Sequence, residues 1–213
     1  MTRTRLKFCG MTRADDVRLA VDLGADAVGF VCWPASPRSV TVDQAARLGA
    51  LVPPGVWRIG VFVNQPADDV RRMVEAAGLD VVQLHGDEPV ADWADAPHPV
   101  WKSIGVGATF DAEVIRAWPP GVLPLLDAHD RERRGGTGQA IDLERAAAAA
   151  RVRAIVLAGG LKPGTVEAAI RAVRPFAVDV SSGVEQAPGI KDAARMTAFA
   201  AAVARADGRS TGS

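Results

Sequence analysis

Two residues are suited to acid–base chemistry because each stands at the end of a short apolar segment. Cys9 ends the segment Leu6–Cys9, and a thiolate there is a general base if its pKa falls from about 8.5 towards neutrality. Asp127 follows Leu-Pro-Leu-Leu, and a carboxyl group in apolar surroundings can have a raised pKa and donate a proton. Simpler interpretations are a small buried hydrophobe for Cys9, and a helix cap or a partner of Arg131 for Asp127. The pair is a candidate base and a candidate acid.

Small residues follow two later apolar segments and indicate a site for an anion. Gly159 and Gly160 come after one segment, and Ser181, Ser182 and Gly183 come after the next. Such residues leave backbone N–H groups exposed, and N–H groups near a helix N-terminus suit a phosphate dianion. Glycines also form turns for steric reasons alone, so either group by itself indicates little. Together they predict a phosphate site.

Two further side chains are candidate ligand contacts. Arg38 follows a Ser-Pro pair and could hold a carboxylate with its planar guanidinium, although most arginines are simply solvated. His85 is either a substrate contact or a hydrogen-bonding group at a strand end. Cys32 has apolar neighbours and is predicted to lie in the core.

A glycine-rich run follows the candidate acid. It lacks the G-x-G-x-x-G spacing and the following acidic residue of dinucleotide-binding loops, so a flexible lid over the site is the better interpretation. The run comprises Gly135, Gly136, Thr137 and Gly138.

Composition and charge exclude several classes of protein. The 213 residues include 25 Lys+Arg and 25 Asp+Glu, and a net charge of zero gives no electrostatic reason to expect nucleic acid or an anionic membrane as partner. No apolar run approaches the roughly 18 residues of a membrane span, and no signal-peptide core follows the N-terminus. Two cysteines are too few for a disulfide scaffold, and the three histidines lack metal-ligand spacing. A cytoplasmic protein without a metal site is predicted.

The alternation of short β-branched segments with longer Ala/Arg/Glu-rich segments predicts the scaffold that positions these residues. Several short segments are continuously apolar, as expected of strands covered on both faces. Eight strands at a repeat of roughly 25 residues fit an α/β fold of the (β/α)8 TIM-barrel type, whereas the alternative, a doubly wound open sheet, usually has fewer strands. The predicted strands are Leu6–Cys9, Ala27–Val31, Trp57–Val63, Val81–Leu84, Val100–Ile104, Val122–Leu126, Ala154–Leu157 and Phe176–Val180. The predicted helices are Thr12–Leu23, Val42–Leu51, Pro66–Ala77, Leu143–Ala150, Pro163–Val173 and Lys191–Arg205, with weaker ones at Glu88–Asp95 and Asp111–Trp118.

The barrel predicts where the site and the domain boundary lie. Active sites of such barrels are at the carboxyl ends of the strands, and the loops after strands seven and eight often hold phosphate. Asp179, at the end of strand eight, joins the candidates for this reason. No linker divides the chain, so residues 1–206 are expected to form one domain and residues 207–213 a disordered tail.

Helix starts carry local signals as well. Thr12 and Asp15 form an S/T-x-x-D capping pattern, and Pro66 and Pro163 suit the first turn of a helix, where a missing N–H is tolerated.

Ten motifs between residues 7 and 192 resemble, in order, those of phosphoribosylanthranilate isomerase, the third-step isomerase of tryptophan biosynthesis. The first is Lys7-Phe8-Cys9-Gly10-Met11-Thr12, which resembles the family's K-[IVF]-C-G-[ILM]-T. One such motif would mean little, but ten in order are highly specific. The others are Gly24-Ala25-Asp26 with Gly29-Phe30, Ser36-Pro37-Arg38, Gly60-Val61-Phe62-Val63-Asn64, Gln83-Leu84-His85-Gly86, Leu126-Asp127, Gly135-Gly136-Thr137-Gly138, Ala158-Gly159-Gly160-Leu161, Asp179-Val180-Ser181-Ser182-Gly183-Val184-Glu185 and Pro188-Gly189-Ile190-Lys191-Asp192.

The resemblance implies an Amadori rearrangement of a phosphorylated small molecule, with no cofactor or metal. N-(5-phosphoribosyl)anthranilate would become 1-(2-carboxyphenylamino)-1-deoxyribulose 5-phosphate. The family's acid matches Asp127 and would protonate the furanose ring oxygen, and its base matches Cys9 and would take the proton from C2′. Arg38 matches the arginine that faces the anthranilate carboxylate, Asp179 lies where a sugar contact is expected, and the glycines and serines of the last two loops match the phosphate site. A monomer and a homodimer both remain open.

Three alternatives compete with this interpretation. An indole-glycerol-phosphate synthase would need additional lysine and glutamate residues at strand ends, and Lys102 is inside strand five. A dual-substrate isomerase that also acts in histidine biosynthesis would have an aspartate at the position of Cys9. A non-catalytic barrel could bind a phosphorylated ligand or a flavin through its last two loops.

Overall fold

A closed barrel of eight parallel strands forms the centre of the computed structural model, which describes residues 3–128 and 141–208. Each strand pairs with the next, and the last pairs with the first over four residues, which closes the barrel. The predicted (β/α)8 barrel is confirmed, and every strand end lies at the predicted residue or within two residues of it. The strands are β1 (Arg5–Phe8), β2 (Ala27–Val31), β3 (Trp57–Phe62), β4 (Val81–Leu84), β5 (Val100–Val106), β6 (Val122–Ala128), β7 (Val156–Leu157) and β8 (Ala177–Val180).

Six α-helices in the described ranges cover the outside of the barrel. Two short 3₁₀ segments, Val90–Trp93 and Ala112–Ile115, replace the two weaker predicted helices. Prolines precede or follow these segments and limit helix formation there. The helices are α1 (Ala14–Asp22), α2 (Val42–Gly49), α3 (Ala67–Ala77), α4 (Leu143–Val152), α5 (Val166–Val173) and α6 (Ala193–Ala206).

Two of the local signals that predicted helix starts are wrong. Thr12 does not cap α1, because its hydroxyl donates instead to the carbonyl oxygen of Gly189, and the N-cap is Arg13. Pro163 lies before α5 rather than in its first turn, because residues 162–165 form a separate turn closed by a hydrogen bond from Thr165 N–H to the Lys162 carbonyl. Pro66 is the N-cap of α3, one position before its expected place.

Strand alternation divides the apolar side chains into two groups. One group lies between the strands and the helices, and includes the fully buried Phe8, Phe30, Phe62 and Phe199. The other fills the amino-terminal half of the barrel interior and leaves the carboxyl ends of the strands open. Its buried members are Ala27, Ile59, Val81, Trp101, Leu125, Val156, Ala158 and Ala177.

An unpredicted antiparallel hairpin lies between β8 and α6. Its strands are β9 (Glu185–Ala187) and β10 (Ile190–Lys191), so Lys191 belongs to the hairpin and not to the predicted helix. It carries two charged side chains to the open end of the barrel.

The last helix ends at residue 206, the predicted end of the domain. Asp207 accepts hydrogen bonds of 2.9 Å from both the backbone N–H and the hydroxyl of Thr4. Of the predicted tail, Asp207 and Gly208 are described, and residues 209–213 lie outside the described residues. Over the described ranges, no helix combines the length and hydropathy needed to cross a membrane.

Candidate active site

A cavity of about 440 Å³ opens at the carboxyl ends of the strands. Every predicted site residue that the structure describes contributes to its wall, whereas Cys32 is buried outside it, as expected. The predicted lid of Gly135, Gly136, Thr137 and Gly138 lies outside the described residues. The predicted residues in the wall are Cys9, Arg38, His85, Asp127, Gly159, Gly160, Asp179, Ser181, Ser182 and Gly183.

Cys9 lies just beyond the end of β1 with only 7% of its surface exposed. Its backbone N–H donates to the Val180 carbonyl, which ties the end of β1 to β8. Burial raises the pKa of the thiol, and the positive charges of Lys7 and Lys191 oppose this effect without overcoming it. Burial of the thiol therefore acts against the fall towards neutrality that the role of a general base requires.

Asp127 and His85 face each other across the neighbouring part of the rim. Oδ2 of Asp127 lies 3.3 Å from Nε2 of His85, and Oδ1 accepts a 2.8 Å hydrogen bond from the Ala128 N–H. Gln83 Nε2 lies 3.3 Å from Nδ1 of the same imidazole. If the amide donates to Nδ1, the imidazole proton is on Nε2 and points at the carboxylate. Asp127 is within β6 and caps no helix, and Arg131 lies outside the described residues.

Lys7 and Asp179 form an ion pair at the bottom of the cavity. Lys7 Nζ donates hydrogen bonds of 2.8 Å to Asp179 Oδ2 and to Gln83 Oε1. The other carboxylate oxygen of Asp179 is buried and has no hydrogen-bond partner among the described residues. A buried oxygen without a partner is energetically costly, so a ligand hydroxyl here would satisfy it.

Arg38 is held by the hairpin that follows β8. Its Nε and Nη2 bind the carboxylate of Glu185 at 2.9 and 2.7 Å, and Lys191 Nζ donates to the same carboxylate at 2.8 Å. These bonds lower the pKa of Glu185 although burial alone would raise it, so it stays ionised. Nη1 makes no hydrogen bond to the residues that the structure describes, so one edge of the guanidinium remains for a ligand carboxylate.

The loops after β7 and β8 provide the expected backbone donors. Gly159 and Gly160 both have positive φ, 80° and 67°, a conformation that favours glycine. No described residue accepts a hydrogen bond from the backbone N–H of Gly160, Ser182 or Gly183. These N–H groups lie in the cavity wall, where an anion would find them unpaired.

Sequence reasoning missed four polar residues of this site. Lys7 on β1 and Gln83 on β4 each stand two residues before a predicted residue that directly follows the strand, so alternation points all of them inwards. That alternation was the available signal. Glu185 and Lys191 were inside the motifs that carry the family resemblance, but nothing local in the sequence indicated their contact with Arg38.

The sequence is similar along almost its whole length to one family of enzymes. A model of the family described as N-(5'phosphoribosyl)anthranilate (PRA) isomerase matches residues 6–202. The chain belongs to this family. It is 46% identical over 195 residues to the N-(5'-phosphoribosyl)anthranilate isomerase of Pelobacter propionicus, covering 92% of this chain and 93% of the relative. The corresponding enzyme of Chromohalobacter salexigens is 47% identical over 201 residues, covering 93% of each chain.

Solved structures of the same family are similar to this fold. Phosphoribosyl anthranilate isomerase from Thermus thermophilus has a TM-score of 0.86 and 39% identity, covering 95% of this chain and 99% of that one. A family structure in complex with reduced 1-(o-carboxyphenylamino)-1-deoxyribulose 5-phosphate has a TM-score of 0.83 and 37% identity, covering 96% and 99%. A third, with a TM-score of 0.83 and 36% identity over 94% and 98%, consists of monomers derived from the dimeric isomerase of Thermotoga maritima.

Family membership identifies an isomerase rather than the synthase or the non-catalytic barrel considered above. The structure gives a physical reason against the synthase as well. Lys102 points away from the cavity, and its Nζ donates to Glu88 at 2.8 Å and to the Gly86 carbonyl.

Proposed function

We propose that this isomerase converts N-(5-phosphoribosyl)anthranilate into 1-(2-carboxyphenylamino)-1-deoxyribulose 5-phosphate in tryptophan biosynthesis, with Asp127 as general acid and Cys9 as general base. The observation that carries the assignment is their common cavity. Asp127 stands at the end of β6 and Cys9 at the end of β1, and two strands, β7 and β8, lie between them in the barrel. Because the two groups line one cavity from different strands, they can reach different atoms of one bound molecule.

In the first step, Asp127 protonates the ring oxygen of the furanose. The C1′–O bond breaks, the nitrogen lone pair forms the C1′=N double bond, and the ring opens to a Schiff base. The carboxylate left behind accepts a hydrogen bond from the imidazole N–H of His85, which stabilises it.

In the second step, the Cys9 thiolate removes the proton from C2′. The electrons of the C2′–H bond form a C1′=C2′ double bond while the second bond of C1′=N breaks and its electrons return to the nitrogen. The resulting enolamine tautomerises to the ketone. A buried thiolate with a raised pKa is a strong base once formed, because the protonated thiol is the favoured state in that environment.

The remaining predicted residues hold the substrate. Arg38 binds the anthranilate carboxylate through its remaining edge, and the N–H groups of Gly160, Ser182 and Gly183 bind the phosphate. The unpaired oxygen of Asp179 accepts a hydrogen bond from a sugar hydroxyl. A cytoplasmic location and a monomeric or homodimeric state stay predictions.

The test follows the fluorescence of the anthranilate moiety after enzyme is added to freshly generated phosphoribosylanthranilate. The matched variants are Cys9→Ala and Cys32→Ala, which remove the two buried thiols of the described chain from inside and outside the cavity. Wild type and Cys32→Ala should give fast decay, and Cys9→Ala should be about 10²- to 10⁴-fold slower. No decay with the wild type would reject the proposed reaction, and fast decay with Cys9→Ala would reject the base.

A further inference from the structure

A buried lysine lies where the barrel interior changes from apolar to polar side chains. Lys7 is inside β1, two residues before Cys9, and 1% of its side chain is exposed. Its Nζ lies 5.8 Å from the centre of the Trp101 ring. Replacing a buried ion pair by apolar residues is often neutral or stabilising, so the pair of Lys7 with Asp179 is not explained by stability alone.

Lys7 and Cys9 pack against the same point on β2. A Cβ atom on Gly29 would lie 2.7 Å from Cys9 Sγ and 3.1 Å from Lys7 Cε, so glycine is what allows both side chains to approach. Burial alone would lower the pKa of Lys7, but Asp179 and the neighbouring thiolate form of Cys9 outweigh burial and raise it. The amine therefore stays protonated at neutral and moderately alkaline pH.

The charges around the Cys9 thiol include one more cation than anions. Four charged side chains interact with the thiol directly. The fifth, Glu185, is bonded to two of these four. With every group ionised, the set has a net charge of +1, and a single thiolate would neutralise it. His85 and Asp127 line the same cavity from β4 and β6. The charged groups of the set are Lys7, Arg38, Lys191, Asp179 and Glu185.

We infer that Lys7 is a positioning residue whose ammonium group supplies the counter-charge that lets the buried Cys9 exist as a thiolate. The inference rests on the proposed role of Cys9 as base. The thiol releases its proton to water, and the resulting thiolate remains beside the ammonium. During the reaction the sulfur forms an S–H bond with the C2′ proton, and Lys7 keeps its own proton throughout.

The test measures alkylation of Cys9 by iodoacetamide as a function of pH, since only the thiolate reacts. Cys32→Ser provides the background, so that Cys9 is the single thiol, and mass spectrometry measures the modified fraction. Lys7→Met should slow alkylation at about pH 8 by about tenfold or more, because thiolate population falls tenfold for each unit by which the pKa rises. The matched control is Lys102→Met, which removes another buried, carboxylate-paired lysine that lies outside the cavity, and its alkylation rate should equal that of the background.

A second variant tests whether Lys7 acts on the thiol through its own charge or only by pairing with Asp179. Lys7→Met with Asp179→Asn leaves no unpaired buried carboxylate, which also protects folding if the single variant is unstable. The double variant is compared with Asp179→Asn alone, because loss of the Asp179 charge by itself lowers the pKa of the Cys9 thiol. Slower alkylation than in Asp179→Asn supports the inference, and an equal rate overturns it, as does an unchanged rate in folded Lys7→Met. The readout does not require turnover, so an inactive wild type with slow alkylation in Lys7→Met would reject the proposed function while the thiolate pairing stood.

Discussion

The two halves of the barrel interior have the same strand alternation and opposite chemistry. In the amino-terminal half, Leu125 on β6 and Val81 on β4 are at most 1% exposed and pack in the apolar cluster. Two residues further along the same strands, Asp127 and Gln83 line the cavity. Two residues of strand rise only about 6.6 Å, so the change from core to site occurs within one layer of side chains.

Stability and activity therefore depend on different positions of the same strand. Apolar side chains in the first half contribute burial, about 25 cal/mol for each Å² removed from water. Buried charged groups in the second half contribute little net stability, because desolvation offsets their attraction. Substitutions in the two halves should therefore affect different measurements.

The largest effect is expected for Asp127→Asn. An amide cannot donate the proton that opens the furanose ring, so kcat should fall about 10²- to 10⁴-fold. The amide keeps an oxygen acceptor for the Ala128 N–H, so the free energy of unfolding measured in urea should remain within about 1 kcal/mol of the wild type. A large loss of stability in this variant would contradict the separation of the two halves.

Leu125→Ala, two residues earlier on β6, should have the opposite outcome. Leu125 is completely buried, and its truncation leaves a cavity that should lower the free energy of unfolding by about 2–5 kcal/mol. The kcat for each folded molecule, measured well below the unfolding temperature, should stay near the wild-type value. A drop in kcat comparable to that of Asp127→Asn would mean that the apolar half positions the catalytic groups directly.

The fold was predictable because the strands are short, continuously apolar and evenly spaced. Residues 27–31 and 81–84 were predicted with their observed bounds, since they are buried along their whole length. The hairpin of β9 and β10 was missed because its strands have three and two residues, too few for a hydrophobic period. The cap at Thr12 was wrong because the partner of its hydroxyl, Gly189, is distant in sequence.

Only part of the site was predictable, from the rule that active sites of such barrels lie at the carboxyl ends of the strands. That rule places residues at strand ends in one cavity, and Cys9 and Asp127 are found there. It does not say which buried polar groups pair. Lys7 and Asp179 are 172 residues apart in sequence, and Arg38 and Glu185 are 147 apart, so only closure of the barrel and folding of the hairpin bring each pair together.

Arg38→Ala should weaken substrate binding. This effect should be smaller than that of Asp127→Asn on kcat or of Leu125→Ala on the free energy of unfolding. Loss of a charge-assisted hydrogen bond to the substrate carboxylate is worth about 1.5–3 kcal/mol, so KM should rise about 10- to 100-fold with little change in kcat. Steady-state kinetics on phosphoribosylanthranilate provide the measurement. The matched control is Arg58→Ala, which removes an arginine bound through Nε and Nη2 to Asp80 outside the cavity. An equal rise of KM in both variants would remove the carboxylate contact from the proposal.

The smallest effect is expected for the ion pair of Arg58 with Asp80. It is an effect on the free energy of unfolding, and it depends on pH. Burial raises the pKa of Asp80, but hydrogen bonds from the side chain and backbone of Arg58 outweigh burial and lower the pKa below its usual 3.8. A carboxyl group with a lowered folded-state pKa adds stability above its unfolded pKa and loses that contribution as pH falls through the folded value. Asp80→Asn should therefore lower the free energy of unfolding by up to about 1 kcal/mol at about pH 7, a typical value for a partly exposed pair.

Urea unfolding of wild type and Asp80→Asn at several pH values measures this difference. It should shrink steadily below about pH 4, as the wild-type carboxylate becomes protonated and loses its advantage over the amide. KM and kcat at neutral pH should stay unchanged, because the pair stands outside the cavity wall. A difference in stability that persisted at low pH would show that packing, and not charge, accounts for the contribution of Asp80. A change in KM would show that ion pairs outside the cavity also position its residues, which the contrast between the two halves of the barrel does not allow.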